Sequence, residues 1–207
     1  MIVRAAVLSV LVTVGAHPAS PDSAEAPALK PGLYANFQTS EGVITAQLYE
    51  KYTPKTVANF VALAQGTKAW RDPKTGAMVK RPLYNNTVFH RVIKNQMIQG
   101  GDPTGTGRHE CGVSLRDEIL PGLKFGRAGK LAMANSGEPD SGGCQFFLTN
   151  EIVTMWDGKY TIFGEVVSGQ EVVSKISNAP QRNEKPDHPA RLFTVTIERI
   201  GGEPKRK

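Results

Sequence analysis

The residues of this sequence that could do chemistry fall in five short stretches. They are Phe89-His-Arg-Val-Ile93, Met97-Ile-Gln-Gly-Gly-Asp102, Met133-Ala-Asn135, Gln145-Phe-Phe147 and Trp156-Asp-Gly-Lys-Tyr160. Their side chains are guanidinium, amide and aromatic groups, which hold a ligand by hydrogen bonds and apolar contact. On a strand, Phe89, Arg91 and Ile93 share one face, as do Met97 and Gln99. Taken singly, each has an ordinary structural explanation. Phe147 and Met97 read as core, Arg91 as half of a surface ion pair, and Gln99 and Asn135 as backbone binders.

Other chemistries lack their residues. There is no Gly-x-Ser-x-Gly elbow and no Gly-x-x-x-x-Gly-Lys phosphate loop. Gly100-Gly101 and Gly105-Thr-Gly107 lack the spacing and the following helix of a dinucleotide site. His90, His109 and His188 are isolated, and His109-Glu-Cys111 is a poor start for a metal site. Asp117 and Glu118 are adjacent, so on a strand they point to opposite faces and cannot act as a facing acid pair. No metal and no cofactor is expected.

The elements that must position these groups read mainly as strands. The chain has 207 residues, 40% hydrophobic, with 21 Gly and 14 Pro, which favours a loop-rich β domain over a helical bundle. Residues 33–50 read as two strands turning at Glu41-Gly42, with Ala35, Phe37, Thr39 and then Val43, Thr45, Gln47, Tyr49 at period two. A helix follows. Thr53 is placed to cap it, Pro54 fits its first position, Val57, Phe60, Val61 and Ala64 form its apolar stripe, and Gly66 stops it. Asp72-Pro-Lys-Thr-Gly76 reads as the tip of a surface hairpin. Short β-like runs recur at 87–92, 97–99, 130–135, 145–150, 160–167 and 192–200, and residues 170–178 read as a second helix. Many short strands with two helices predict a closed antiparallel barrel with helices over its ends.

The ends of the chain read differently. Arg4 precedes an uncharged, mostly apolar run from Ala5 to Ala16 that closes on Val14-Gly15-Ala16, the pattern of a signal peptide over residues 1–16. The run is too short for a comfortable membrane span. Residues 17–30, rich in Pro, Ala and Ser, read as a linker, and residues 31–202 as one domain. Residues 203–207 are a basic tail. Net charge is +6, but apart from Lys205-Arg206-Lys207 the cations are scattered, as on a solvated surface rather than a nucleic-acid interface. Two cysteines, Cys111 and Cys144, permit one disulfide and do not form a Cys-x-x-Cys motif.

Taken together and in order, these segments resemble the cyclophilins, specifically an exported, bacterial type. That family carries a Phe-His-Arg strand, Met-x-Gln-Gly-Gly-Asp, Met-Ala-Asn, Ser-Gln-Phe-Phe, Trp-Leu-Asp-Gly-Lys-His and a Phe-Gly-x-Val strand. The resemblance runs from Leu33 to Ile200 and includes the first helix, TPKTVANFVALAQG. It implies a closed, eight-stranded antiparallel barrel, mainly β, with two capping helices. It implies a peptidyl-prolyl cis–trans isomerase acting on X-Pro bonds of exported, proline-containing polypeptides, in the periplasm or secreted. Cyclosporin-like cyclic peptides would bind as inhibitors, and a monomer without nucleic-acid partners is expected.

By the same resemblance Arg91 is the catalytic donor. Gln99, Asn135, Ala134 and Gln145 bind the substrate backbone, Met97 and Phe147 line the proline pocket, and His90 borders the groove. The chain departs from the family twice. Gln96 stands where an aromatic is usual. Met155 takes the usual Trp place, so Trp156 and Tyr160 fall in the Leu and His places and would line and close the pocket. An amide at Gln96 raises an alternative, a proline-binding chaperone or scaffold with weak catalysis. The resemblance also brings the loops of Cys111 and Cys144 to one side of the groove, close enough for a disulfide.

Overall fold

A computed structural model describes residues 29–202. The chain opens with a hairpin of β1 (Gly32–Thr39) and β2 (Gly42–Leu48). Ala35, Phe37 and Thr39 of β1 are buried as their spacing predicts. On β2 the buried set is Ile44, Ala46 and Leu48, and Val43 is 45% exposed. The pairing explains this, since Phe37 lies opposite Ile44 and directly opposed residues share a face.

Helix α1 (Pro54–Gln65) has Pro at its start and ends at Gly66 in the left-handed region, φ 73°. A Cβ at Gly66 would lie 2.5 Å from the Arg81–Pro82 backbone, so the stop also admits a close chain crossing. The helix start differs from the sequence expectation. The Thr53 hydroxyl does not cap the helix; it donates to the Tyr49 carbonyl at 3.4 Å. The Glu118 carboxylate instead accepts the N–H groups of Lys55 and Thr56, at 3.1 and 2.8 Å. A carboxylate there also suits the positive end of the helix dipole.

A small hairpin, β3 (Trp70–Arg71) with β4 (Met78–Val79), follows the helix, tipped by the Asp72–Gly76 turn. The run expected as one strand at 87–92 is two, β5 (Thr87–Val88) and β6 (Arg91–Ile93). Next come β7 (Met97–Gly100), β8 (Lys130–Met133), β9 (Phe146–Thr149) and β10 (Ile162–Ser168). Helix α2 (Gln170–Ser177) leads to a short hairpin, β11 (Gln181–Arg182) and β12 (Lys185–Pro186), and the domain closes with β13 (Arg191–Ile200).

Nine strands form one antiparallel sheet in the order β5-β13-β1-β2-β10-β8-β9-β7-β6. Its two terminal strands are consecutive in the chain, joined through Phe89-His90. The sheet therefore curls into a barrel whose edges meet at that bend. The eight-stranded closed barrel expected from sequence is corrected to nine strands, because one run supplies a strand to each edge.

Helix α1 lies against β13 and α2 against β2, β6 and β7, both adding apolar side chains to the barrel interior. Strands β8 and β9 are buried at every position. Leu131, Met133, Phe146 and Leu148 join the interior, while Ala132 and Phe147 join a second apolar cluster on the outer face. Strand alternation produces both. That outer cluster carries the site.

Candidate active site on the outer face of the sheet

Three adjacent strands align the central residues. Arg91 of β6 lies opposite Gln99 of β7, which lies opposite Phe147 of β9. A line of hydrogen bonds crosses the strands here. Arg91 donates from Nε to the Glu184 carboxylate at 2.6 Å and from Nη1 to Gln99 Oε1 at 3.1 Å. Gln99 Nε2 donates to Gln145 Oε1 at 2.9 Å. Gln145 Nε2 donates in turn to the carbonyls of Gly107 and His109, at 3.1 and 3.3 Å. Each amide is thereby fixed in orientation.

Beside this line opens a cavity of about 160 Å³. Its apolar walls are Ile93, Met97, Phe147, Trp156 and Tyr160, and Arg91, Gln99 and Asn135 stand at its polar side with Ala134. Phe147 meets Trp156 and Tyr160 edge-on, with ring centroids 5.5 and 5.2 Å apart. Phe125 backs Phe147 from below in a stacked arrangement at 5.9 Å. Asp157 holds Phe125 in place by accepting its main-chain N–H at 2.7 Å. The aromatic walls are thus locked by packing before any ligand arrives. Among the described residues there is no group of three or more His, Cys, Asp or Glu suited to a metal ion.

A second cavity, about 720 Å³, adjoins the first and shares Gln99, Ala134 and Asn135 with it. Gln145, His109 and Cys144 line it. Cys111 and Cys144 are joined by a disulfide, with α-carbons 6.5 Å apart, at this rim. Asn135 uses both ends of its side-chain amide internally, donating to the Lys159 carbonyl and accepting from the Gly137 N–H. The second N–H of its amide and the second lone pair of its oxygen remain for a ligand at this edge, which Asn135 shares between the two cavities.

Two residues named from sequence lie elsewhere. Gln96 lines neither cavity. It sits in the β6–β7 turn, where its N–H donates to the Ile93 carbonyl and its carbonyl accepts from Asn150. His90 lines neither cavity and is only 8% exposed. Its ring packs beneath Gly107, where an added Cβ would approach it to 3.2 Å. Burial pushes its pKa below the ordinary imidazole value, against the opposing pull of the Asp102 carboxylate. Met155 is 68% exposed, and Trp156 takes the wall position. Sequence reasoning missed Phe125, which lies outside any regular element, and Glu184, at the tip of the β11–β12 hairpin.

Sheet and cavity together define a β-barrel domain with a preformed pocket walled by aromatic side chains and a guanidinium at its edge. The family model described as cyclophilin type peptidyl-prolyl cis–trans isomerase matches residues 34–197. Peptidyl-prolyl cis–trans isomerase B of Streptomyces anulatus is 46% identical over 170 residues, 81% of this chain and 95% of that protein. Peptidyl-prolyl cis–trans isomerase A of Mycobacterium tuberculosis is 45% identical over 166 residues, 79% of this chain and 91% of that one. A solved cyclophilin-type isomerase of Cryptosporidium parvum, crystallised in the presence of the dipeptide Ala-Pro, superposes with a TM-score of 0.69 at 34% identity, covering 81% of this chain and 99% of that one. The chain belongs to the cyclophilin-type peptidyl-prolyl cis–trans isomerases.

Proposed function

We propose that this isomerase works by gripping the proline ring in the 160 Å³ cavity and donating from Arg91 to the prolyl nitrogen as the bond twists. Rotation about an X-Pro bond breaks amide resonance, against a barrier of about 18–20 kcal/mol. No covalent step is needed; the site has only to bind the twisted state better than either planar state. Twisting localises a lone pair on the prolyl nitrogen, and a preorganised donor aimed at it stabilises that state selectively. The observation that carries this reading is the guanidinium at the cavity mouth, with Nε held by Glu184 and Nη1 by Gln99. Its Nη2 has no protein partner among the described residues and is left for the substrate.

Met97, Phe147, Trp156 and Tyr160 supply the apolar grip, and Gln99, Gln145, Ala134 and Asn135 align the flanking backbone. A cyclosporin-like cyclic peptide would compete for the same cavity. The test is a protease-coupled isomerisation assay on a proline peptide. Acceleration blocked by an unreactive proline peptide supports the reading. Tight peptide binding without acceleration would favour the chaperone or scaffold alternative.

The exported location rests on the sequence of residues 1–16, which lies outside the described residues, as do most of the 17–30 linker and the 203–207 tail. The Cys111–Cys144 pair supports it, since disulfides persist in oxidising compartments. Protein recovered from the exported fraction should begin at His17; a full-length cytoplasmic chain alone would refute export.

A further inference from the structure

We infer that Glu184 is a positioning residue for Arg91, held at a hairpin turn whose backbone disfavours its own side chain. The inference rests on Arg91 being the donor. Strands β11 and β12 are joined by two residues, Asn183 and Glu184, with Arg182 opposite Lys185. Both turn residues have positive φ, 50° and 64°. Two-residue turns of this kind favour Asn at the first position and Gly at the second. Asn183 fits. Glu184 does not, because a Cβ in the left-handed region crowds the following carbonyl.

The turn nonetheless brings this carboxylate to the catalytic strand. The Glu184 carbonyl accepts the Val92 N–H at 2.8 Å, docking the turn on β6 beside Arg91. The carboxylate then accepts Arg91 Nε at 2.6 Å. Both side chains are almost half exposed, 44% and 47%, and a pair so exposed adds little to stability. Folding energy therefore gives no reason for a Glu here. Orientation does. Gln99 alone fixes one nitrogen of a planar group and leaves it free to swing. Gln99 and Glu184 together fix two nitrogens and hence the plane of a guanidinium whose residue lines the cavity. In a reaction that depends on a donor meeting a transient lone pair, that constraint acts on the chemical step.

The experiment is Glu184→Gly and Glu184→Gln, each in the native and the Arg91→Ala backgrounds, with kcat, KM and the thermal midpoint measured. Glycine suits the backbone, so Glu184→Gly should keep or raise the midpoint. It should lower kcat about fivefold, equivalent to about 1 kcal/mol, with KM within about twofold. Glu184→Gln should restore most of the rate, since its amide oxygen can still accept Nε. In the Arg91→Ala background Glu184→Gly should have no further effect. Native kcat in Glu184→Gly, or an equal loss without Arg91, would overturn the inference while leaving the donor reading intact. An Arg91→Ala protein with native kcat would overturn the donor reading and the inference with it.

Discussion

The barrel interior and the outer aromatic cluster divide the alternate residues of β8 and β9 between them, yet they end in different states. Phe37, Phe60, Phe146 and Phe163 of the interior are fully buried and packed ring on ring. In the outer cluster Phe125 and Phe147 are buried, while Trp156 and Tyr160 remain half-covered around an open cavity. The interior has used its apolar surface in folding. The outer cluster leaves part of its surface open around a cavity, the surface we propose grips proline, and its buried members pack against the exposed ones.

The sharpest way to break this comparison is to truncate one ring in each region. Phe60→Ala should cost about 3–5 kcal/mol of stability by opening a cavity in a closed core, with native activity in the molecules that stay folded. Trp156→Ala should cost little stability and weaken proline-peptide binding by about 1–2 kcal/mol, roughly tenfold. Denaturant titration and peptide affinity read the two effects. Equal stability losses would mean that the clusters are one core.

His90 sharpens the comparison from the side of charge. Its ring is buried beneath the Gly107 loop, and burial, the largest influence, holds its pKa below 6.5. The unfolded chain therefore takes up this proton at higher pH than the folded one. Stability should fall as pH drops from about 7 to 5, and His90→Gln should flatten that part of the curve. An unchanged pH profile in the variant would place the titration elsewhere. Gln96→Phe should have the smallest effect, a change in kcat/KM below about twofold, because Gln96 lines neither cavity. A large gain would show that this position does reach bound proline.

What the sequence revealed follows from the range of each signal. The helix α1 stripe, its Pro54 start and its Gly66 stop are local in the chain, and all three appear in the structure. The helix cap is not local. Glu118 lies 62 residues from Thr56, so Thr53 was the nearer and wrong candidate. The split of 87–92 into two strands depends on which partners each half finds, β13 or β7, and no residue of the run announces it. The motifs brought Arg91, Met97, Gln99, Ala134, Asn135, Phe147, Trp156 and Tyr160 to one cavity. Gln145 meets them through Gln99. Phe125 and Glu184 stayed hidden because one sits in a loop without periodicity and the other in a turn where glycine is the usual choice.

The division of labour between the outer cluster and Arg91 is tested most directly by measuring binding and catalysis separately in one variant. In Arg91→Ala, exchange spectroscopy on a proline peptide gives the isomerisation rate in the complex, and titration gives the Kd. The aromatic walls remain, so the Kd should stay within about threefold, while the rate should fall about 10²–10³-fold with loss of the preorganised donor. A rate near that of the native protein, or a Kd that collapses in step with the rate, would contradict the assignment of binding to the aromatic cluster and catalysis to Arg91.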